Sequence, residues 1–142
     1  MGIRDFGIVI DTNVIISSLV FGGKPEKFVD LILSERLRVY TSSQLISELL
    51  DILKKKFKFT DNKLKLIEGE ILENFKKVYP TKRIFASRDV KDNKVLEVAV
   101  ESGSEIIVTG DEDLLSLKKY GQVVIFRPSE FLDFLTKLQK WK

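Results

Sequence analysis

The sequence predicts an α/β fold in which a parallel sheet carries helices on both faces. Short runs of β-branched residues alternate along the chain with segments whose apolar residues recur at helical spacing. Two of the runs, 8–10 and 106–108, are apolar throughout, as in strands that are buried on both faces. A chain of 142 residues with 44% hydrophobic and 32% charged residues suits one core, so we expect a single domain over residues 1–142.

The first half of the chain holds two predicted strands and two predicted helices. A strand over 6–10 ends at Asp11, and apolar residues over 28–33 predict the first helix. A second strand covers 38–41. Ser42 or Ser43 can cap the following helix, in which Leu45, Ile46, Leu49, Leu50 and Leu53 share one side.

The second half continues the alternation. Asp61 can cap a helix that Tyr79-Pro80 ends, whereas residues 81–88 give no clear pattern. Four further elements are predicted: a helix that follows 89–92 and stops at Gly103, strands over 106–109 and 123–126, and a terminal helix that starts at Pro128-Ser129.

Composition excludes several kinds of chemistry. The sequence contains no cysteine and no histidine, which removes disulfides, Cys/His zinc sites, thiol nucleophiles and imidazole acid–base pairs. No apolar run approaches the length of a membrane span, and the N-terminus does not resemble a signal peptide. We therefore expect a cytoplasmic protein that has no membrane partner and works with carboxylates, hydroxyls, amides, lysine or arginine.

The positive charge is unevenly distributed. Residues 54–83 hold ten basic and four acidic side chains, net +6, whereas the rest of the chain carries −3. This asymmetry indicates a basic face that could bind a nucleic acid beside an acidic site. The alternative is an ordinary lysine-rich solvated surface. The predicted contacts to the nucleic acid follow the helix of Glu48 and are Lys54, Lys55, Lys56 and Lys58.

Carboxylates follow the two most apolar strands directly. Asp11 and Asp111 stand at their carboxyl ends, the edge where open α/β sheets bind ligands. Glu48 and Asp92 lie on helices that follow other strands or loops, so four carboxylates from separate segments can converge. Each also has a purely structural alternative, as a strand end, a turn, a helix cap or an exposed helix residue.

A cluster of like charges is stable only when a cation neutralises it, and oxygen ligands select hard ions. We therefore expect Mg²⁺ or Mn²⁺ at this site, activating water for attack on a phosphodiester. Asp113 is a further candidate ligand, although it could instead cap the helix of Leu114. Thr12, Asn13 and Thr109 are expected to hold the carboxylates in place rather than bind the metal.

Four blocks of the sequence resemble the acidic blocks of PIN-domain nucleases. They read Ile-Val-Ile-Asp-Thr-Asn-Val-Ile-Ile-Ser at 8–17, Ser-Ser-Gln-Leu-Ile-Ser-Glu-Leu at 42–49, Asp-Asn-Lys-Val-Leu-Glu-Val-Ala at 92–99 and Ile-Val-Thr-Gly-Asp-Glu-Asp-Leu-Leu at 107–115. Each block is weak alone, but their order and spacing together make the similarity strong. The resemblance extends over about residues 5 to 135 and is greatest to a prokaryotic branch of toxin components.

The resemblance implies a three-layer α/β/α sandwich with a mostly parallel five-stranded sheet and metal-dependent cleavage of single-stranded RNA. The catalytic and metal-binding acids of the family match Asp11, Glu48, Asp92 and Asp111, and a more variable acid matches Asp113. The hydroxyl that holds the first aspartate matches Thr109. The amide after the first block matches Asn13.

Other functions fit the same residues. The chain could be a DNA-directed nuclease, or a non-catalytic RNA-binding or protein-interaction module on the same fold. The toxin branch implies a cognate antitoxin as a protein partner. A homodimer is a further expectation, with the helices near 26–34 and 43–57 as its surfaces.

Overall fold

The computed structural model describes residues 2–21 and 30–140, which form one sheet with helices on both faces. The sheet order is β3-β2-β1-β4-β6-β5, and the first five strands in this order are mutually parallel. Only β5 runs antiparallel, against β6. The strands are β1 (Gly7–Ile10), β2 (Arg38–Thr41), β3 (Lys76–Lys77), β4 (Ile106–Val108), β5 (Lys119–Tyr120) and β6 (Val123–Phe126).

Strand β1 is central, and all four of its residues are buried. Ile8 is in register with Val39 of β2 on one side and with Ile106 of β4 on the other. The apolar run 8–10, which predicted a strand buried on both faces, therefore lies in the middle of the sheet. The polar residues that follow β1 and β4 consequently emerge side by side.

Seven helical segments surround the sheet in the described part of the chain. Residues 30–34 are helical and are named α2 here. The others are α1 (Thr12–Val20), α3 (Ser43–Lys55), α4 (Asp61–Asn74), α5 (Val90–Ser102), α6 (Glu112–Leu115) and α7 (Pro128–Lys140). A short 3₁₀ turn over Ile3–Asp5 precedes β1.

Alternate residues of the strands face two different helical layers. Ile8 and Ile10 pack in one cluster with Val14 of α1 and Phe131 of α7. Val9 belongs to the opposite cluster, which is built mainly on α5. The two-residue period of a strand thus produces the three layers that the sequence predicts.

Helices α3 and α4 form a third apolar cluster beside these layers. Leu49 and Leu53 of α3 pack against Leu64 and Ile71 of α4, and Ile16 of α1 joins them. This cluster attaches α3 to the rest of the molecule through α1. Glu48 therefore has a fixed position relative to the carboxyl edge of the sheet.

The strands predicted over 38–41 and 123–126 are confirmed without a change of boundary. The helix predicted from Asp61 to Tyr79-Pro80 was too long, because α4 ends at Asn74 and the chain then forms β3. Its cap is Thr60, whose hydroxyl accepts a hydrogen bond from the Lys63 N–H at 3.2 Å.

One helix and two strands were not among the predicted elements, and the sheet has six strands rather than the expected five. Helix α1 lies over a run rich in β-branched residues, which lowers helix propensity and masks the pattern. Strands β3 and β5 have two residues each, so only their pairing partners define them.

The helix predicted over 28–33 lies partly outside the described residues, and only 30–34 is seen as helix. Within the described ranges, none of the helices combines the length and apolarity that crossing a membrane requires.

Candidate active site

Acidic side chains gather at the carboxyl edge of the sheet, between the ends of β1 and β4 and the start of α5. Carboxylate oxygens of Asp89, Asp92 and Asp111 lie within 4.8 Å of one another. Asp11 is next to this group, since its charge acts on both Asp92 and Glu48. The four carboxylates predicted to converge therefore do so, with Asp89 as an additional member.

Asp11 is buried, and its carboxylate accepts a hydrogen bond from a buried hydroxyl. Thr109 is completely buried, and its Oγ1 donates to Asp11 Oδ2 at 2.6 Å. The same Oγ1 accepts from the Asp111 backbone N–H at 2.9 Å. Because the Asp11 N–H also donates to the Val108 carbonyl at 2.9 Å, the ends of β1 and β4 are joined at this point.

The pKa of the Asp11 carboxyl is raised, chiefly because burial disfavours its charged form. The hydrogen bond from Thr109 opposes this rise, and the nearby charge of Asp111 adds to it. The backbone N–H groups of Asn13 and Thr12 also favour the carboxylate.

The pKa of Asp92 is also raised, and by a large amount. Burial, followed by its hydrogen bond with Asp111 and the charge of that neighbour, raises the pKa of Asp92 to about 8. The Asp92 carboxyl thus keeps its proton near neutral pH and is hydrogen-bonded to Asp111. Ser87 Oγ contacts Asp92 Oδ2 at 3.4 Å, and the Asp92 N–H donates to the Asp89 carbonyl at 3.1 Å.

Glu48 approaches the cluster from α3 and is half-buried. Its pKa is raised by burial and by the charge of Asp11, whereas Lys91 opposes the rise. Its position follows from the cap of α3, where Ser42 Oγ accepts from the Leu45 N–H at 3.2 Å.

Asp111 and Asp113 have different roles in α6. Asp111 caps this helix, since its Oδ1 accepts from the Asp113 N–H at 2.8 Å and from the Leu114 N–H at 3.4 Å. The suggestion that Asp113 caps the helix was wrong, because Asp113 already lies inside it. Its side chain is paired with Arg88, with Nη2 and Oδ1 3.6 Å apart. It is not among the three acids that approach within 4.8 Å.

The residues expected to hold the carboxylates occupy different settings. Thr109 makes both hydrogen bonds described above, while Thr12 is buried at the start of α1. The side chain of Asn13 is exposed, and this residue acts on Asp11 through its backbone N–H.

Three residues near the cluster were not among the predicted site residues. Asp89 caps α5 by accepting from the Lys91 N–H at 3.0 Å, and its carboxylate is close enough to that of Asp92 for one cation to contact both. Asn93 exchanges two hydrogen bonds with the backbone of Ser87, at 2.8 and 3.2 Å. The sequence signal for Asp89 was its spacing of three from Asp92, whereas the contacts of Ser87 depend on a loop without a pattern.

The lysines predicted to contact nucleic acid lie at and just beyond the end of α3. Two of them have acidic partners, Lys54 with Asp61 at 3.5 Å and Lys55 with Asp51 at 3.1 Å. Lys56 lies over the ring of Phe57. Their contact with nucleic acid stays a prediction.

Comparison with known proteins identifies the family of the chain that carries this carboxylate cluster. Residues 7–113 match the family model of the PIN domain. The chain belongs to the PIN domain family. The matched range contains all five predicted acids, and the six-stranded sheet is the PIN fold with one antiparallel strand at its edge.

A curated relative supports the same assignment for this PIN domain protein. An uncharacterized protein of Methanocaldococcus jannaschii is 37% identical over 145 residues, and the alignment covers 92% of each chain.

Two solved structures share the fold. VapC20 of Mycobacterium tuberculosis, described as a toxin that cleaves the sarcin-ricin loop, has a TM-score of 0.57 at 14% identity. The alignment covers 82% of this chain and 98% of that one. FitAcB from Neisseria gonorrhoeae has a TM-score of 0.52 at 18% identity, with coverage of 86% and 98%.

The donor set of this PIN domain fits a divalent cation. All the converging groups are carboxylates, three of them offer oxygens within 4.8 Å of one another, and Asp92 needs a proton to remain beside Asp111. A hard cation would replace that proton and relieve the repulsion. PIN nucleases use divalent metals to hydrolyse phosphodiesters, and this acidic group is compatible with that chemistry.

Proposed function

We propose that this PIN domain protein is a metal-dependent endoribonuclease that cleaves single-stranded RNA. The observation that carries the proposal is the meeting of Asp89, Asp92 and Asp111 at the carboxyl edge of the sheet, with Asp11 and Glu48 beside them. Such a group is costly for the fold by itself, since like charges repel in a partly buried site. The presence of this carboxylate cluster is explained if the functional form of the protein has a cation bound to it.

Asp11, Glu48, Asp92 and Asp111 are the proposed catalytic acids that hold the cation, and Asp89 and Asp113 flank them. A bound Mg²⁺ or Mn²⁺ would lower the pKa of a water molecule and stabilise charge on the phosphate. The role of the protein is then to orient its acids. Thr109 fixes Asp11 relative to Asp111, and Ser87 and Asn93 fix the start of α5.

The preference for single-stranded RNA and the role as a toxin rest on the resemblance of the four sequence blocks to the toxin branch. The fold shared with VapC20, a toxin described as cleaving the sarcin-ricin loop, supports the same role. We further propose a cognate antitoxin as a partner, a homodimer as the oligomeric state and the cytoplasm as the location. Co-purification of the product of the adjacent reading frame would test the antitoxin.

Cleavage of a mixed RNA pool, with and without EDTA, tests the proposal. We expect cleavage with Mg²⁺ or Mn²⁺ and none in EDTA, and we expect Asp92→Asn and Asp111→Asn each to remove most of it. Asp133→Asn, which neutralises an exposed carboxylate on α7, is the matched control and should cleave normally. Cleavage that continues in EDTA, or acid variants as active as the control, would contradict the proposal. A DNA pool cleaved faster than RNA would favour the DNA-directed alternative.

A further inference from the structure

A polar cleft opens at the carboxyl ends of β2 and β3, beside the acid cluster. It has a volume of about 400 Å³ and is lined by the start of α3, by the segment that follows β3 and by Lys94 of α5. We propose that this cleft binds the single-stranded nucleic acid next to the cleaved bond, with basic side chains on its phosphates and Tyr79 on a base. This inference rests on the proposed function, whose substrate it positions.

The cleft has basic side chains that are free to meet a phosphate. Lys82 and Arg83 are exposed, and neither has an ion-pair partner among the residues that the structure describes. Lys94 is partly buried with its Nζ 3.4 Å from Glu97 Oε1. Glu97 is the one acidic residue in the lining, and its Oε2 also accepts a hydrogen bond from the Ile84 N–H at 3.0 Å.

The first turn of α3 adds to the positive potential. Ser43 and Gln44 line the cleft at the N-terminus of this helix, where the helix dipole favours an anion. A strand lying in the cleft would therefore meet fixed positive potential as well as flexible cationic side chains.

Tyr79 supplies an exposed aromatic face in the same cleft. Its side chain is 70% exposed although it is one of the larger apolar groups of the chain, and Lys77 Nζ lies 5.6 Å from its ring centroid. Phe85, further along the same segment, is 83% exposed. Basic side chains interleaved with exposed rings are the arrangement that binds single strands, because an unpaired base can stack on the ring.

The segment that lines the cleft also reaches the acid cluster. Ile84 is tied to Glu97 of α5, and three residues later Ser87 contacts Asp92. The four-residue interval from Arg83 to Ser87 spans at most about 14 Å when extended. A phosphate on Arg83 would therefore be only a few nucleotides from the acids.

A second groove, between α3 and α4, is less suited to a phosphate backbone. It has a volume of about 730 Å³, and four of its lining residues are acidic while two are basic. One of those two, Lys54, is already paired with Asp61. The charges that line the two grooves thus favour the cleft beside β3 as the binding site for a phosphate backbone.

Fluorescence anisotropy of the full chain with a labelled single-stranded RNA of mixed sequence, in EDTA, tests the proposal. For Lys82→Gln/Arg83→Gln we expect weaker binding and a log affinity–log salt slope smaller by about 1.4, the loss of two phosphate contacts. Lys118→Gln/Lys119→Gln removes two exposed lysines around β5, at the opposite edge of the sheet, and should keep the wild-type slope.

Tyr79 gives an independent arm of the test. Tyr79→Ala should weaken binding by at least about fivefold, whereas Tyr79→Phe keeps the ring and should bind as the wild type does. A duplex of the same sequence should be insensitive to Tyr79→Ala, because its bases are already stacked.

Failure of this inference can be distinguished from failure of the proposed function. If the wild type cleaves RNA while the cleft variants bind and cleave normally, the cleft proposal is overturned and the nuclease remains. If cleft-dependent binding is found without cleavage by the wild type, the proposed function fails instead. Polyglutamate that displaces RNA as well as unlabelled RNA does would assign the cleft to an acidic protein partner and overturn the proposal.

Discussion

Thr109 is the residue through which the two strand-end carboxylates are held together. Its hydroxyl donates to Asp11 and accepts from the backbone of Asp111, and no solvent reaches it. Because this buried hydroxyl uses both its donor and its acceptor, it fixes the distance between two acids that would otherwise repel each other.

Replacing Thr109 by valine keeps the shape of the side chain and removes the hydroxyl. We expect Thr109→Val to lose most cleavage and to lower the free energy of unfolding by about 1–3 kcal/mol, since the Asp111 N–H loses its acceptor. Thr109→Ser keeps the hydroxyl and should retain most cleavage. Urea denaturation and RNA cleavage measure the two effects. A valine variant as active as the serine variant would show that Thr109 does not position the acids.

Asp92 makes the stability of the metal-free protein depend on pH. Its pKa is about 8 in the folded chain, against 3.8 for an ordinary aspartate, so above pH 4 the folded state retains a proton that the unfolded state has released. The stabilisation is therefore complete below about pH 4 and is lost as pH rises towards 8. The raised pKa values of Asp11 and Glu48 act in the same direction.

We expect the metal-free chain in EDTA to unfold at a lower urea concentration at about pH 8 than at about pH 5. Asp92→Asn cannot ionise, so it should flatten this dependence and be at least as stable as the wild type at the higher pH. Asp133→Asn should keep the wild-type dependence. An Asp92→Asn chain that unfolds far more readily than the wild type would mean that Asp92 is a structural partner of a buried cation instead.

Three of the acids could be predicted from the sequence because each adjoins a strongly patterned element. Asp11 comes directly after β1, Asp111 lies three residues beyond the end of β4, and Asp92 lies in the first turn of a periodic helix. Ser87 could not be predicted, because its contacts with Asn93 and Asp92 arise where an irregular loop crosses back over α5. Tyr79 was predicted to end a helix and instead follows β3, because α4 stops at Asn74, before the proline that signalled the end of the helix.

At the scale of elements, the buried strands were the most predictable part of the fold. Strand β1 has apolar neighbours on both sides and both faces, so its composition alone identifies it. Edge strands lack this constraint, and β3 and β5 became visible only through their partners. The close approach of Gly7 in β1 to Ser104, in the turn after α5, also could not be predicted, because it arises only when the fold is assembled.

Gly7 and Gly69 should respond oppositely to alanine. A Cβ at Gly7 would lie 2.9 Å from Ser104 Oγ and 3.1 Å from Ser104 Cα, so we expect Gly7→Ala to destabilise the fold by about 1–3 kcal/mol. Gly69 lies exposed within α4 with nothing within 4 Å of such a Cβ, and Gly69→Ala should stabilise by about 0.5–1 kcal/mol. Urea denaturation of both variants measures the difference. Equal effects would contradict the tight packing of β1 against Ser104.

At the scale of the whole molecule, charge is separated between two neighbouring regions. The carboxylates meet where β1, β4 and α5 end or begin, while residues 54–83 carry net +6 around α4 and β3. The segment from Tyr79 to Arg88 joins the basic cleft to the acid cluster, so a polyanion held in the cleft would lie next to the acids. The absence of histidine from the entire chain then determines how such a reaction responds to pH.

We expect cleavage to rise with pH from about 6 to about 9 without a descending limb near neutrality. The rise reflects loss of the protons that compete with the cation for the carboxylates, above all the proton on Asp92. Raising the Mg²⁺ concentration should therefore move the rise to lower pH, because more cation displaces the same proton at a lower pH. Initial rates across this range, corrected for the alkaline lability of RNA, provide the measurement. A symmetric bell near neutral pH that persists in EDTA would identify an imidazole-dependent contaminant, since this chain has no histidine that could produce it.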